Sequence, residues 1–552
     1  MKLSGLLFAA ALLGSCTQPA AEENYTRHVD PKIGTGGHGH VFVGANVPFG
    51  LVQVGPTSIP QTWDWCSGYH ASDSTVIGFS HTHLSGTGIG DLFDITVMPV
   101  VGEVTYARGE ENDPASGLWS YADRTREITK PGYYSVPLVR YGITAELTAT
   151  ERVGLHRYTF PASDAAAVVF DLENGGCWDK ATDTGFRFSD DSTRIAGWRC
   201  STGWAKNQEV YFVAEFSKPA KGISYLQPGE IDDSKMPRIA ARYARVDFDT
   251  AEGEQVLVKV ALSPVSIEGA KANLAAELPG WDFDATAAAA DKAWNDELSK
   301  VKIETEDETS KRIFYTALYH TMVAPSLFCD VNGDYRGADG KVHENPGRDT
   351  YTTFSLWDTY RAAMPLMTVL HPERMPDIIQ TMLHIADEQG RLPVWHLWGN
   401  ETDCMVGNPG IVAVADAIVK GIGGFDREKA FETIRKTAMN PDRGNGLRME
   451  YGYIPCEMFN EAVAYDMEYA LADGAAARAA EALGKAEDAK YFEERSHSYR
   501  NYFDPQTGFM RGRDSKKGWR TPFNAFASTH RADDYCEGNA WQYTWLAPHD
   551  VA

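Results

Sequence analysis

Two neighbouring stretches decide the fold. Residues 254–262 read EQVLVKVAL, and residues 284–300 read DATAAAADKAWNDELSK. In the first, Val256, Val258, Val260 and Leu262 share one face of a strand with a period of two residues. The second stretch is rich in alanine and other helix-forming residues and predicts a helix that bridges two domains. The chain therefore changes from strands to helices shortly after residue 262.

The same period-two pattern recurs from about residue 28 to residue 275. GITAELTA at 142–149 and EVYFVAEF at 209–216 both alternate apolar and polar residues, and Gly, Pro and Asp turns separate such segments. Many short strands of this kind predict a β-sandwich. We expect the sandwich to occupy 28–275 and linker helices to occupy 276–304.

From about residue 305 the apolar residues follow a helical period. Thr305 and Glu308 have capping-box spacing ahead of KRIFYTALYHTMV. In PERMPDIIQTMLHIADEQG (372–390), Pro372 suits the first turn of a helix and Gly390 suits its end. No strand pattern lies between these segments, which predicts an all-helical domain of paired helices over 305–552. The fold class is therefore multidomain α+β.

The composition excludes one class of partner. The chain has 552 residues, 43% hydrophobic and 23% charged, and a formal net charge of −24. Binding a phosphate backbone requires clustered Lys and Arg, so a nucleic-acid partner is not expected. A neutral partner such as a sugar fits this charge.

The N-terminus predicts export. MKLSGLLFAAALLGSC has a Lys, a short apolar run and small residues before Cys16, and the run is too short to span a bilayer. Leu13-Gly14-Ser15-Cys16 resembles the bacterial lipobox, so we expect a lipoprotein signal at 1–16 and a lipid anchor on Cys16. The alternative is an ordinary signal peptide cleaved elsewhere. A polar tether at 17–27 follows, and the expected location is the bacterial cell envelope, in the periplasm or on the outer membrane.

Seven cysteines remain after the signal, and none forms a C-x-x-C pair. A zinc ribbon is therefore not expected. An oxidising compartment permits disulfides. Cys177 and Cys200 flank one predicted hairpin region and are the pair that we expect to be bonded.

Glycine-rich segments near the N-terminus carry histidines. IGTGGHGH (33–40) lacks the Gly-Lys-Ser/Thr ending of a phosphate loop and no helical pattern follows it. His38 and His40, and also His81 and His83, have the spacing of a metal-binding pair. The alternative, which we favour for both pairs, is that these rings form hydrogen bonds within glycine-rich turns.

Tryptophans and acids occur together in four short segments. TWDWCSGYH (62–70) offers Trp65, whose face is suited to stacking on a sugar, although such clusters also form cores. FSLWDTYR (354–361) places Asp358 and Arg361 on one side of a helix start, where a structural ion pair is an equal alternative. VWHLWGNETDCMVGNPG (394–410) predicts a loop that lines a cleft. DYCEGNAWQYTW (534–545) holds Glu537 among aromatic and amide side chains.

Six motifs, in order, resemble glycoside hydrolase family 92. They are IGTGGHGHVFVGANVPFGLVQVGP, WCSGYH, GFSHTHLSGTG, FSLWDTYRA, WGNET and EGNAWQYTW, and the resemblance runs from about Val29 to the last residue. The family comprises bacterial exo-acting α-mannosidases that trim N-glycans. The resemblance implies an N-terminal β-sandwich, linker helices and an (α/α)6 barrel.

The resemblance also implies a mechanism. Hydrolysis would depend on calcium and would invert the anomeric carbon, which requires an acid and a base on opposite sides of the sugar. Glu537 matches the general acid, Asp358 matches a residue of the −1 subsite, and Trp65 lies in the aromatic wall of that subsite. Trp357 and the loop residues Glu401 and Asp403 are further candidates for substrate binding. The residues that would hold calcium are not assigned.

The chain departs from the family pattern at its C-terminus. The motif that supplies the general base in the family does not occur, so we expect the base and calcium ligands to lie beyond residue 552 and the barrel to be incomplete. The preferred explanation is a truncated record of a full-length α-mannosidase, and the activity of the truncated chain is doubtful. The alternative is a lipid-anchored protein that binds mannose-containing glycans without cutting them. A glycoside phosphorylase is less favoured, because no cluster of cationic residues lies near the motifs.

Overall fold

The computed structural model describes residues 23–188, 192–226, 240–345 and 347–551. The predicted signal at 1–16, with Cys16, and the first residues of the predicted tether lie outside the described residues. The last tether residues pack on the protein: Tyr25 is buried against Tyr315, and its amide donates to Asn295 Oδ1 at 2.7 Å. Among the residues that the structure describes, no helix is both long enough and apolar enough to cross a membrane.

The N-terminal half is built of strands. They are β1 (Gly55–Thr57), β2 (Thr75–Val76), β3 (Gly78–Ser80), β4 (Thr96–Val101), β5 (Ser120–Tyr121), β6 (Ile128–Lys130), β7 (Tyr133–Leu138), β8 (Ile143–Ala149), β9 (Val153–Phe160), β10 (Ser163–Asp171), β11 (Lys180–Phe188), β12 (Arg194–Thr202), β13 (Gln208–Phe216), β14 (Gly222–Leu226), β15 (Tyr243–Thr250) and β16 (Glu254–Ser263). The three stretches that predicted strands form β8, β13 and β16. Their alternate apolar residues are buried, as the period-two pattern predicts.

Two antiparallel sheets pack face to face as the predicted β-sandwich. One has the order β1-β3-β4-β10-β15-β14 and the other β11-β12-β13-β16-β9-β8-β7-β6. In the larger sheet, Phe212 pairs with Leu262 across β13 and β16. The Phe170 ring of the smaller sheet stacks on Phe212 of the larger sheet, with ring centroids 5.8 Å apart. The core of this half therefore lies between the two sheets.

Helices follow the last sandwich strand. They are α1 (Ile267–Glu277), α2 (Phe283–Leu298) and α3 (Glu308–His320). Leu274 of α1 and Phe283 of α2 pack on Val153 and Leu155, which lie on the outer face of the larger sheet. The bridging helix predicted at 284–300 is α2. In the structure, the sandwich strands end at Ser263 and α1 begins at Ile267. The domain boundaries predicted at 275 and 304 stay predictions.

The remaining described elements alternate short strands with helices. They are β17 (Ser326–Leu327), β18 (Tyr335–Arg336), β19 (Val342–His343), β20 (Tyr351–Thr352), β21 (Phe354–Ser355), α4 (Leu356–Thr359), α5 (Ala363–Leu370), α6 (Met375–Gln389), β22 (Trp395–Leu397), β23 (Asn400–Glu401), α7 (Pro409–Val419), α8 (Arg427–Ala438), α9 (Asn445–Tyr451), α10 (Ala462–Ala482), α11 (Ala486–Ser496), β24 (Phe503–Asp504), β25 (Phe509–Met510) and α12 (Ala540–Tyr543). Helix α10 packs against α7, α8 and α11. The predicted α+β fold class, a β-sandwich followed by a helical domain, is confirmed.

Several local predictions need correction. The helical domain contains short strands, which the sequence did not predict. Strands of two or three residues are too short to give a period-two pattern. Helix α3 is capped by Asp307, whose carboxylate accepts from the Thr309 amide at 3.0 Å, and not by Thr305. Helix α6 begins at Met375 with Pro376 in its first turn rather than Pro372, and it ends as predicted at Gly390, where φ is +91°.

The predicted disulfide is also wrong. Cys177 and Cys200 are free thiols, as are the other described cysteines. Cys200 lies in β12 opposite Asp183 of β11. Cys177 lies in the loop before β11 and packs against Gly90. A Cβ added at Gly90 would lie 2.5 Å from the Cys177 Cβ. The two cysteines flank the hairpin without facing each other.

The sandwich and the helical domain share a continuous apolar core. The Phe49 amide donates to Met322 O at 2.8 Å, and the Gln53 side-chain amide donates to Val323 O at 2.8 Å. On another side, the Trp204 and Trp395 rings meet edge to face with centroids 4.5 Å apart. These contacts hold the loops of the sandwich against the helical domain.

Candidate active site

A cavity of about 280 Å³ lies where the two halves meet. Ser85, Gly86 and Thr87 of the sandwich line one side of it, and Asp358 and Trp395 of the helical domain line the other.

Asp358 is exposed in the first turn of α4 and lines the cavity. Its carboxylate accepts a hydrogen bond from the Ser355 hydroxyl. The structural ion pair with Arg361 that was an alternative does not form, because Arg361 pairs with Glu468 instead. Asp358 therefore has carboxylate capacity left for a ligand.

Trp357, the neighbour of Asp358, is fixed by a hydrogen bond to Glu468 of α10. Its indole donates to Glu468 Oε1 at 3.0 Å, and Tyr360 donates to Glu468 Oε2 at 2.7 Å. Glu468 is buried on α10, and burial raises the pKa of its carboxyl although Arg361 counteracts that rise. These bonds fix the α4 turn on α10 and thereby hold Asp358 at the cavity.

Glu401 is a nearly buried carboxylate whose partners are backbone amides. It accepts from the amides of Val394 at 2.8 Å, Trp395 at 2.9 Å and Asp403 at 3.0 Å. These bonds close the β22–β23 hairpin, which the sequence predicted as a loop. The substrate-binding role predicted for Glu401 remains a prediction, and its contacts are those of a residue that shapes the turn.

Asp403 follows this hairpin and is exposed. Arg391 pairs with its carboxylate, and Arg443 Nε lies 3.5 Å from it. Arg443 is also hydrogen-bonded to two carbonyls of the same loop, Met405 O and Gly407 O. A cationic clamp thus holds the loop that presents Asp403.

Glu537 is exposed and sits between two fixed points. Before it, Cys536 is buried and its carbonyl accepts from the Tyr543 hydroxyl at 2.7 Å. After it, Asn539 caps α12 with a complete capping box, in which Gln542 Oε1 accepts from the Asn539 amide at 2.9 Å. The carboxylate is therefore free on a rigid turn, which suits a proton donor.

The loops that carry Glu537 and Asp403 are in contact. Cys536 Sγ lies 3.9 Å from Met405 Sδ, and Arg531 donates to Cys404 Sγ at 3.2 Å. Burial raises the pKa of the Cys404 thiol, and the Glu537 carboxylate adds to that rise. Trp357 packs in the same apolar cluster as Cys536. The structure thus brings Glu537, Asp403 and the Asp358 turn into one region.

Several residues of this region have left-handed backbone although they are not glycines. The φ angles of Asp403, Met405 and Glu537 are +54°, +74° and +46°, and those of Arg443 and Glu461 are +55° and +56°. A left-handed conformation at a residue other than glycine costs roughly 1–3 kcal/mol, and such residues cluster at functional sites. The strain supports a functional reading of the Glu537 loop.

On the sandwich side, Trp65 is fixed by its neighbours. Its indole donates to Asp73 Oδ2 at 2.7 Å, and its ring stacks on His70 with centroids 4.4 Å apart. His38 Nδ1 lies 2.6 Å from Asp64 Oδ1, whereas His40 Nε2 lies 3.4 Å from it. The subsite role predicted for Trp65 remains a prediction.

The interpretation of His81 and His83 as hydrogen-bonding side chains is confirmed. His81 is bonded to Ile95 O at 2.6 Å and to His156 Nε2 at 2.9 Å, and His156 is bonded to the Tyr158 hydroxyl. His83 is bonded to Gln53 O at 2.8 Å. Burial lowers the pKa of His81 to about 3 and that of His83 to about 4, so both rings are neutral core side chains.

Sequence reasoning missed several residues of the region. Glu461 is buried beside Cys536, and among the described residues its Oε1 atom has no hydrogen-bond partner. Arg443 clamps the Asp403 loop, and Trp204 braces Trp395. None of the three lies in a motif with a recognisable spacing, so only the folded chain places them.

Among the residues that the structure describes, one group of side chains has the spacing of a metal site, namely Glu297, His371 and Glu373. Calcium prefers oxygen ligands, and this group includes an imidazole. The Lys300 ammonium already bridges the two carboxylates, at 2.7 Å from Glu297 and 2.9 Å from Glu373. This group therefore does not fit calcium, and no calcium ligand is assigned within the described residues.

The cavity holds an exposed carboxylate, Asp358, and a tryptophan, Trp395. Carboxylates and aromatic rings are the groups that sugar-cleaving sites use. Comparison with known families gives the same class. The glycosyl hydrolase family 92 N-terminal domain matches residues 28–263, and the family 92 catalytic domain matches residues 269–552. The chain belongs to glycosyl hydrolase family 92.

Solved structures agree with this assignment. The chain is 39% identical to a family 92 α-mannosidase from Bacteroides thetaiotaomicron, solved in complex with mannoimidazole, with a TM-score of 0.92 over 96% of this chain and 71% of that chain. It is 29% identical to a family 92 inverting mannosidase from the same species, with a TM-score of 0.83 over 96% of this chain and 71% of that one. An uncharacterised secreted glycosidase of Arthroderma benhamiae is 25% identical over 99% of this chain and 74% of its own length.

Proposed function

We propose that this glycoside hydrolase is an exo-α-mannosidase that removes terminal α-mannosyl residues from N-glycans with inversion of the anomeric carbon. The observation that carries the proposal is that the neighbours of Glu537, Asp403 and Asp358, namely Cys536, Met405 and Trp357, belong to one apolar cluster of a family 92 chain. The similar solved structures are mannosidases, and one of them is an inverting enzyme.

We assign the role of general acid to Glu537. Its carboxylate is exposed on a turn held at both ends, so it can reach the leaving oxygen without rearrangement of the backbone. Asp358 and Asp403, both exposed, bind sugar hydroxyls, and Trp65 provides an aromatic face. For Trp357 and Glu401 the contacts favour a positioning role, since the indole N–H and the carboxylate are engaged by the protein itself.

Calcium dependence is part of the proposal at the level of the family. When bound, calcium would polarise sugar hydroxyls and favour distortion of the ring. The described cluster of Glu297, His371 and Glu373 does not fit calcium, because Lys300 bridges its two carboxylates.

We place the protein in the bacterial envelope as a lipoprotein anchored through Cys16. The apolar N-terminal run and the lipobox-like Leu13-Gly14-Ser15-Cys16 support this location. The secreted description of the fungal relative is consistent with export. Labelling with a lipid precursor, compared between the native chain and Cys16→Ala, tests the anchor.

The activity is tested in the full-length protein, with α-1,2-, α-1,3-, α-1,4- and α-1,6-linked mannobioses and with a high-mannose N-glycan. We expect free mannose, with the β-anomer appearing first by NMR, and loss of activity in a chelator that calcium alone restores. First appearance of the α-anomer would contradict inversion. Full activity after exhaustive chelation would contradict the calcium dependence.

The alternative of a glycan-binding protein without hydrolysis is less favoured, because the match covers the family's catalytic domain. Saturable binding of mannobiose with no release of mannose under any metal condition would support that alternative.

A further inference from the structure

Two exposed tryptophans lie beside the glycine-rich segment SGTGIGD, residues 85–91, whose first three residues line the cavity. Trp63 is 50% exposed and Trp178 is 40% exposed, although large aromatic side chains are usually buried. They come from separate loops, at 62–66 and 172–179, and no motif singled out Trp178.

Trp63 is held firmly in spite of its exposure. Its indole N–H donates to Gly88 O at 2.8 Å, and the His40 ring meets it edge-on with centroids 4.3 Å apart. An added Cβ at Gly88 would lie 2.4 Å from the Trp63 ring. Glycine at position 88 is therefore what allows the indole to lie on the loop.

Trp178 is held in a similar way two residues further along. Its amide donates to Gly90 O at 3.1 Å, and the Gly176 amide donates to Leu92 O at 2.9 Å. An added Cβ at Gly90 would lie 2.5 Å from Cys177 Cβ and 3.1 Å from the Trp178 ring. The two glycines thus place one indole each along the same segment.

The geometry connects this pair of rings to the cavity. Ser85, Gly86 and Thr87 line the cavity opposite Asp358, and Gly88 and Gly90 continue the same chain outwards. Residues 88 and 90 are at most about 7 Å apart along the backbone, which is comparable with one sugar ring. Rigid aromatic rings held at neighbouring positions of one segment suit binding of a sugar chain, because the apolar face of a pyranose can stack on an indole.

We propose that Trp63 and Trp178 form an aromatic platform that binds the sugar residues of an oligomannoside extending out of the Asp358 cavity. The inference rests on the proposed function for the substrate class. It assigns these two residues to the part of the glycan that remains after a terminal mannose has been removed. The platform would favour oligosaccharides over single sugars without taking part in bond cleavage.

Calorimetric titration of the full chain tests the platform, with Glu537→Gln as the background so that no turnover occurs. The ligands are α-mannotetraose and methyl α-mannoside, and the variants are Trp63→Ala, Trp178→Ala and the double change. We expect each single change to weaken tetraose binding roughly tenfold, and the double change to weaken it further. The affinity for methyl α-mannoside should stay within about twofold.

Two controls keep the test specific. Trp281→Ala removes a tryptophan that lies under Lys259, next to the helices that cover the outer face of the sandwich, and should leave tetraose binding unchanged. Trp63→Phe keeps an aromatic ring and should restore much of the affinity lost in Trp63→Ala. Melting temperatures of all variants are compared with that of the background.

The outcomes separate this inference from the proposed function. Unchanged tetraose binding in the double variant overturns the platform, as does an equal loss with methyl α-mannoside. If the variants lose affinity for a glycopeptide but not for free tetraose, the two rings bind the peptide, and this result also overturns the platform. Tetraose binding that depends on both rings, in a chain that never releases mannose, supports the platform and overturns only the hydrolytic function. Failure of the background chain to bind tetraose at all overturns the platform.

Discussion

The candidate residues of the two domains differ in their chemistry. In the helical domain they are carboxylates, and we call the loops that carry Glu537, Asp403 and Asp358 the helical wall; the first two residues have left-handed backbone. In the sandwich they are aromatic rings, and we call the segment that carries Trp63 and Trp65 the sandwich wall; each ring is fixed by a hydrogen bond from its indole. Carboxylates can transfer protons and bind hydroxyls, whereas indoles can only stack and donate. Chemistry is therefore expected from the helical wall and recognition from the sandwich wall.

The layers beneath the walls differ in the same way. Under the helical wall, Glu468 gathers Trp357, Tyr360 and Arg361 in a charged network. Under the sandwich wall, His83 is a neutral ring bonded to one carbonyl. Substitutions in the helical wall and the layer beneath it should therefore change turnover or the balance of buried charge. Substitutions beneath the sandwich wall should change the pH dependence of stability.

The largest effect is expected at Glu537. In the full-length protein, Glu537→Gln removes the proton donor and should lower kcat on mannobiose about 10²–10⁴-fold, because general acid catalysis contributes that much. A 4-nitrophenyl α-mannoside should lose much less, since its leaving group needs little protonation. Initial rates with both substrates measure the difference.

The control for this prediction is stability. Because Glu537 is exposed, the melting temperature of Glu537→Gln should stay within about one degree of the wild type. Equal loss with both substrates, or a large fall in melting temperature, would mean that Glu537 supports the fold instead.

The second effect is expected in the layer beneath. Glu468→Ala removes the shared acceptor of Trp357, Tyr360 and Arg361 and leaves a partly buried guanidinium without its partner. We expect the free energy of unfolding to fall by about 3 kcal/mol. Glu494→Ala, on the exposed side of α11, should change it by less than about 0.5 kcal/mol. A Glu468→Ala protein as stable as the wild type would show that the network does not hold α4 on α10.

The long periodic elements were predictable because their patterns are strong. Strand β16 and helix α6 repeat their apolar residues over enough turns to fix both type and face. The short strands of the helical domain were not predictable, since two residues carry no period. The left-handed end of α6 at Gly390 was predictable from the glycine alone. The cap of α3 was not, because both Thr305 and Asp307 can accept a hydrogen bond from a backbone amide, and Asp307 does so.

The candidate site was predictable only as far as its motifs reach. Asp358, Asp403 and Glu537 stand in recognisable phrases, and folding brings them to one region. Sequence could not tell that Glu401 is consumed by backbone amides while Asp403, two residues later, is exposed. Trp178 escaped notice because its role depends on a glycine 88 residues earlier in the chain.

The third effect concerns pH and the sandwich wall. Burial lowers the pKa of His83 to about 4, below the usual value of about 6.5. The unfolded chain therefore takes up a proton as the pH falls through 6.5 while the folded chain does not. The free energy of unfolding therefore falls as the pH drops from 6.5 towards 4. At pH 5 the fall that is due to His83 is about 2 kcal/mol.

His83→Asn removes that titration and keeps a donor for Gln53 O. Urea unfolding at pH 7.5 and pH 5.0 should show a loss of stability about 2 kcal/mol smaller in the variant than in the wild type. Identical pH dependence in the variant and the wild type would contradict the neutral, buried state of His83.

The smallest effect is expected at Asp403, and it tests how the carboxylate wall divides its work. The Asp403 side chain is 56% exposed, so its pairs with Arg391 and Arg443 are screened and should contribute less than about 1 kcal/mol. Arg443 also keeps the carbonyls of Met405 and Gly407 as acceptors. Asp403→Asn should therefore leave stability almost unchanged, because asparagine also tolerates the left-handed φ of +54°. Asp403→Leu, of similar size but poorly suited to that φ, should cost about 1 kcal/mol more. If Asp403 only binds a sugar hydroxyl, Asp403→Asn should raise KM several-fold and leave kcat nearly constant. A hundredfold fall in kcat would instead place Asp403 with Glu537 among the groups that act on the reacting bond.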